Sequence, residues 1–375
     1  MSARRLVLAF VLLLASLTGR LFAQERAPWH DPSPHNVQFV TVDENVKLEV
    51  LDWGGSGRPL VLLAGQGNTA HVFDDFAPKL TAGYHVYGVT RRGYGASSAP
   101  ASGYSADRLG DDVLSVLDTL KLDRPVLVGH SLAGEELSSI GSRHPERAAA
   151  LIYLDAGYSY AYYDGSRGDL NIDLRELQRK LDELGAIPQD PKPLVDELLR
   201  MSLPKFERDL QDMQENLQAP RVPSPTPPSP TDADRTSYAT WRSWQKRVYG
   251  YAIPEGEVRQ THEPTAGENI GKARTQPSVE HAVFVGQQKF ADIRVPVLAI
   301  FALPHDLGPF ADSDPIARAD FEARDMATVG AQAKAFETGV PSARVVRLPH
   351  ANHYVFLTNE ADVLREMRAF VAGLH

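Results

Sequence analysis

Val126-Leu127-Val128-Gly129-His130-Ser131-Leu132-Ala133-Gly134 is the stretch on which the reading of this chain turns. A short aliphatic and β-branched run ends in a serine among small residues, and Glu135-Glu136-Leu137 opens a helical pattern at once. Strand, one sharp turn and helix is the sequence form of a nucleophile elbow. The small residues have a steric job. A serine on a strained turn needs backbone close by on both sides, where a Cβ would clash. The following helix aims its first N–H groups at the serine, where they can meet a developing oxyanion. A strict G-x-S-x-G pattern has glycine at 133; here Ala133 fills that place and Gly134 follows.

Outward from the elbow, strands and helices alternate. Pro59–Ala64 is a continuous apolar run, as a strand buried on both faces would be, and it leads into Gly65-Gln66-Gly67-Asn68. Tyr84–Val89, Leu151–Leu154, Val295–Phe301 and Arg344–Leu348 read as further strands. Val37–Val42 and Val46–Trp53 alternate apolar and polar around Asp43-Glu44-Asn45, which predicts a β-hairpin. Helical spacing appears near Val72–Leu80 and at Leu109, Val113, Leu117 and Leu120 behind a Ser105 cap. It continues from the elbow to about His144 and from about Glu360 onward. The fold class is α/β: a mostly parallel central sheet with helices on both faces.

The rhythm changes at Gly157. Four tyrosines crowd into 158–163, and Leu170–Leu184, Leu194–Met201 and Lys205–Leu217 look helical. Six prolines between Pro220 and Pro230 predict an exposed linker at 220–230, and Trp241 and Trp244 follow in a mixed helical segment. The sheet domain is thus expected in two parts, 37–156 and 291–375, around a helical insertion at 157–290.

Composition narrows the function. A formal charge of −9 argues against a nucleic-acid partner, which calls for a basic face. The absence of cysteine excludes disulfides, thiolate catalysis and cysteine-bound zinc. No His-Glu-x-x-His or phosphate-loop pattern occurs, so neither a metal nor another cofactor is expected. Arg4 and Arg5 precede an apolar run from Leu6 to Leu17, and Leu21-Phe22-Ala23 offers a cleavage point. Residues 1–23 therefore read as a signal peptide, the apolar run falling short of the roughly 20 residues that span a bilayer. Its removal takes Arg4, Arg5 and Arg20 and moves the charge from −9 to −12. The mature chain is expected to be exported, periplasmic or secreted, with no stable membrane span. Residues 24–36 read as an extended lead-in whose His30 and His35 are solvated rather than ligands.

From the hairpin to the terminal helix, this order of elements resembles the α/β-hydrolase superfamily. The resemblance implies nucleophile, acid and histidine in that chain order at strand ends. Ser131 takes the nucleophile position, which disfavours aspartate-nucleophile relatives such as haloalkane dehalogenases and epoxide hydrolases. Leu348-Pro349-His350-Ala351-Asn352-His353-Tyr354-Val355-Phe356 resembles the last-strand loop and points to His353 as base, with His350 the rival. Ala302-Leu303-Pro304-His305-Asp306 resembles the turn that carries the acid, so Asp306 is expected there, with Asp155 after the preceding strand as its rival. Backbone N–H groups of Leu132 and Gln66 are expected to form the oxyanion hole. The insertion resembles the family's cap, which places Tyr158 and Tyr160 at the substrate pocket. Arg91 and Arg92 are read as braces for loops, His130 as packing under the elbow, and Glu135 and Glu136 as partners of the helix N-terminus.

The function expected is that of a serine hydrolase acting on a small molecule with a carboxylic ester or related acyl group, through an acyl-enzyme. A peptidase, lactonase or C–C hydrolase would use the same three residues, and a ligand-binding protein without catalysis would share the scaffold.

Overall fold

The computed structural model describes residues 29–218, 222–265, 268–274 and 276–374. The predicted signal peptide, the start of the lead-in and positions 220 and 221 of the proline-rich stretch lie outside these residues. Residues 33–375 make up one compact unit; of the other, residues 1–32, the described 29–32 carry no helix or strand.

Eight strands form one sheet: β1 (Asn36–Asp43), β2 (Val46–Gly54), β3 (Arg58–Leu63), β4 (Tyr84–Val89), β5 (Val126–His130), β6 (Ala150–Leu154), β7 (Val297–Ala302) and β8 (Ala343–Leu348). Their order is β1-β2-β4-β3-β5-β6-β7-β8. β1 and β2 are the expected hairpin, with Asn45 in the left-handed region at its turn, and β2 pairs antiparallel with β4. Every other pairing is parallel. Side chains alternate across a strand, so each central strand feeds two cores. Val61, Leu63, Leu127, Ala299 and Phe301 enter one, and Leu60, Leu62, Val128, Leu298 and Ile300 the other. That double burial is why these strands read as unbroken apolar runs.

α1 (Ala106–Leu120) starts at Ser105, whose side chain accepts from Arg108 N, and α2 (Gly134–Arg143) leaves the elbow. Between β6 and β7 the described chain is helical: α3 (Leu170–Gly185), α4 (Lys192–Glu197), α5 (Leu203–Gln218), α6 (Tyr238–Tyr249), α7 (Glu255–Thr261) and α8 (Pro277–Val285). Residues 222–230 carry no helix or strand, as their prolines require. α9 (Pro315–Gly339) fills the β7–β8 connection and α10 (Glu360–Ala372) closes the chain.

Three elements differ from expectation. The helix foreseen near Val72–Leu80 is two short 3₁₀ turns, Ala70–Phe73 and Ala77–Lys79, because Pro78 has no N–H to carry a helix through. The strand foreseen from Val295 starts at Val297, because Pro296 cannot donate to a ladder. α9 was not foreseen. Its alanine-rich sequence has little apolar periodicity, the signal on which helix reading depends.

Candidate active site

Ser131 stands between β5 and α2 with φ +51°, in the left-handed region that few non-glycine residues occupy. Close packing enforces this. A Cβ on Gly129 would sit 2.9 Å from the Leu137 side chain, and one on Gly134 only 2.1 Å from the Ala156 carbonyl oxygen. The small residue that matters after the serine is thus Gly134, and Ala133 is accommodated as a buried helical residue with φ −59°.

The Ser131 hydroxyl lies 2.9 Å from His353 Nε2, and His353 Nδ1 lies 2.6 Å from Asp155 Oδ2. The three side chains form one chain of hydrogen bonds from three loops. Asp155 follows β6 with φ +46°, and His353 follows β8. Ser131 and His353 are partly exposed while Asp155 is fully buried.

Asp306, the acid expected from sequence, is not in this chain. Its carboxylate accepts from Gly308 N at 2.9 Å and faces Arg318 at 3.3 Å. The reason is strand alternation carried past the end of β7. His305 bridges in parallel fashion to Ala351, and Asp306 N donates to Ala351 O. Neighbouring residues of such an extended segment point to opposite sides. His305 takes the side facing Asp155, so Asp306 takes the other. His350, the rival base, is exposed with φ +53°, its N–H tied to Pro304 O.

Sequence reading missed the second half of the acid's surroundings. His305 Nε2 lies 2.7 Å from Asp155 Oδ2, and its Nδ1 lies 3.0 Å from Asp325 Oδ2 on α9. Tyr158 donates its hydroxyl to the same Asp155 oxygen at 3.0 Å, and Ala302 N donates to Oδ1 at 3.0 Å. Burial opposes charge on His305, but hydrogen bonds to Asp155 and Asp325 outweigh it and raise its pKa to about 10. Burial likewise opposes charge on Asp155, yet hydrogen bonds from His305 and His353 hold its carboxyl well below the usual range. Asp155, His305 and His353 are close enough to hold a cation. However, a protonated His305 with both N–H groups on carboxylates has no lone pair for a metal. The sequence signal for His305 lies one residue before Asp306, the aspartate expected as the acid.

The remaining expected residues fall around this line. Tyr158 is engaged with the acid rather than with open space, whereas Tyr160 turns its hydroxyl toward Ser131. The Gly65-Gln66 loop lies against the serine: a Cβ on Gly65 would be 2.9 Å from Ser131 Cβ. Gln66 is exposed and Leu132 buried. Arg91 braces the loop, donating to Ala64 O at 3.0 Å and pairing with buried Glu136 at 2.5 Å. Arg92 pairs with Asp112 in the same bidentate way. His130 is packed under the elbow, its Nε2 3.1 Å from the His353 carbonyl oxygen, and burial lowers its pKa to about 3. Burial pushes the Glu135 carboxyl well above its ordinary value.

α7 reaches the same region. Glu257 accepts from Asn68 Nδ2 at 2.9 Å, from Thr69 N at 3.1 Å and from the Thr69 hydroxyl. Burial raises its pKa to about 7 against those bonds. A cleft of about 270 Å³, lined by Asn68, Thr69, Tyr94, Gln260 and Arg274 among others, borders the loop.

Comparison with known proteins agrees with this architecture. The sequence profile of the α/β hydrolase fold family matches residues 58–360. Epoxide hydrolase A of Mycobacterium tuberculosis is 37% identical over 118 residues, 30% of this chain and 37% of that protein. The 2-hydroxymuconate semialdehyde hydrolase of a Pseudomonas species is 30% identical over 135 residues, 34% of this chain and 48% of that protein. These matches span less than half of either relative. An esterase from a Rhodococcus species shares the fold with a TM-score of 0.51 at 17% identity, over 90% of this chain and 99% of its own. A match over most of the chain places this protein in the α/β-hydrolase fold family.

Proposed function

We propose that this chain is an exported serine hydrolase that cleaves a carboxylic ester of a small molecule. The observation that carries the reading is the continuous Ser131–His353–Asp155 chain, with links of 2.9 and 2.6 Å. A serine hydroxyl is a weak nucleophile until a base within hydrogen-bond reach takes its proton. His353 Nε2 takes that proton as Ser131 Oγ bonds to the ester carbonyl carbon. Asp155 holds the imidazole by Nδ1 and balances its positive charge. The oxyanion is met by backbone N–H groups of Leu132 and Gln66, each such donor contributing about 2.7–4 kcal/mol to the transition state. His353 then gives the proton to the leaving alcohol oxygen as the C–O bond breaks, leaving an acyl-serine. Water loses a proton to His353 and attacks the acyl carbon. The proton returns to Ser131 and the carboxylic acid departs.

Serine at 131 favours this route over the aspartate-nucleophile chemistry of epoxide hydrolases. The Arg4-Arg5 pair and apolar run before Ala23 support export. The test is labelling by a fluorophosphonate probe together with burst kinetics on p-nitrophenyl esters of increasing acyl length. Wild type should label and show a burst, and Ser131→Ala neither. A wild type that does not label and turns over no ester would remove the reading.

A further inference from the structure

A second group of histidines and carboxylates lies outside the catalytic line. His35 leads into β1, and His71 and Asp74 come from the turn after the Gln66 loop. His35 was expected to be solvated. Its side chain is instead 3% exposed, and those of His71 and Asp74 are each 4% exposed.

The two carboxylate oxygens of Asp74 face two different imidazoles. Oδ1 lies 3.0 Å from His35 Nδ1, and Oδ2 lies 3.2 Å from His71 Nδ1. The second pair is a hydrogen bond, whereas the first is close but misaligned. Among the described residues neither His35 Nδ1 nor Asp74 Oδ1 has a hydrogen-bond partner, although both atoms are buried. A buried polar atom left this way calls for an explanation, and an ion is one. Asp74 thus uses one oxygen in a hydrogen bond and holds the other beside an imidazole nitrogen it does not bond, two buried donor atoms open to a cation. The donor atoms of this group all lie within 4.8 Å of one another. Two ligands at about 2.1 Å from a tetrahedral zinc stand roughly 3.4 Å apart, close to both spacings. Behind His71 stands a carboxylate, Glu49 Oε1, 3.5 Å from its Nε2. A ligating imidazole is oriented by such a partner on its other nitrogen.

We propose that His35, His71 and Asp74 bind a divalent transition metal. Two imidazoles and a carboxylate suit zinc and its neighbours rather than calcium or magnesium, which prefer all-oxygen shells. The metal would join the lead-in strand to the turn that follows Asn68 and Thr69, the residues that hold Glu257 of α7. None of its ligands takes part in the Ser131–His353–Asp155 hydrogen bonds, so its role is to fix that turn and not to take part in ester cleavage.

The test is zinc uptake by the purified full chain, isolated without a metal-affinity column and stripped with a chelator. Zinc is followed by competition with a chromophoric chelator, alongside far-ultraviolet circular dichroism and thermal melting. Wild type should take up a single equivalent at this site and melt at a higher temperature with zinc. His35→Gln, which alters a residue before the first strand, and Asp74→Asn should lose that equivalent. His35→Gln should keep the dichroism of wild type and melt where zinc-free wild type does. Glu49→Gln should bind about tenfold more weakly. His305→Gln, in the other cluster, should bind as wild type. No uptake by wild type overturns the proposal, and so does uptake that persists in His35→Gln at full stoichiometry.

Discussion

Asp155–His305–His353 and His35–Asp74–His71 use the same residue types in opposite ways. In the first, both nitrogens of His305 and Nδ1 of His353 meet carboxylates at 2.6 to 3.0 Å, and Asp155 spends both oxygens. In the second, Nδ1 of His35 and Oδ1 of Asp74 lie 3.0 Å apart without a hydrogen bond. Where every nitrogen has an acceptor, protons hold the cluster together and can move along it. Where His71 bonds one Asp74 oxygen and His35 passes by the other, one nitrogen and one oxygen stay open to the proposed cation. Residue identity is thus a poor guide to the role of a His–Asp group, and alignment of donor and acceptor is a better one.

The charge of the first cluster is instructive. Asp155 and Asp325 bring two negative charges and protonated His305 one positive charge, which leaves the net charge a lone aspartate would have. His305 and Asp325 therefore hold the acid in place without changing the charge that His353 meets.

The largest effect expected comes from cutting the proton chain. Ser131→Ala should lower kcat/KM about 10⁴–10⁶-fold and Asp155→Asn about 10⁴-fold on the same ester. If Asp155→Asn were near wild type, the contrast between the clusters would break at its strongest point. Next comes the cation. Zinc at about a hundredfold over its Kd should stabilise wild type by about 2.7 kcal/mol, an effect that a chelator reverses and that His35→Gln lacks. Melting at several zinc concentrations reads this directly.

Charge balance makes a smaller prediction with a sign. His305→Gln leaves Asp325 unopposed, which favours a protonated His353, so the acidic limb of the pH–kcat/KM profile should move up by about one unit. Asp325→Asn leaves His305 and Asp155 as a neutral pair, and the limb should move down by a similar, roughly one-unit, step. Stability checks the same charge. A histidine raised from 6.5 to about 10 on folding stabilises the fold fully below 6.5 and loses that contribution as pH rises through about 10. Denaturant titrations should show the advantage of wild type over His305→Gln shrinking across that window. The smallest effect belongs to Asp306→Asn. Its half-exposed pair with Arg318 is worth about 0–1 kcal/mol, and kcat/KM should stay within about twofold of wild type.

The elbow was legible because its requirements are local. A strand, a left-handed serine and a helix within nine residues demand small neighbours, and Gly129 and Gly134 are where a Cβ would collide. The sheet was legible for a related reason, since burial on both faces removes polar residues from β3, β5, β6 and β7. α9 was not, because its burial is patchy and its apolar period weak, and with it went Asp325.

By itself, then, the sequence determined an α/β sheet, a serine at its elbow and a histidine loop after the last strand, all properties of neighbours along the chain. Only tertiary structure decided between Asp155 and Asp306. Both follow strand ends, and the choice depends on which of two alternating side chains, His305 or Asp306, faces the space beside β6. Tertiary structure alone also withdrew His35 from solvent and set it beside Asp74. Those residues are far apart in sequence, and no local pattern records that they meet.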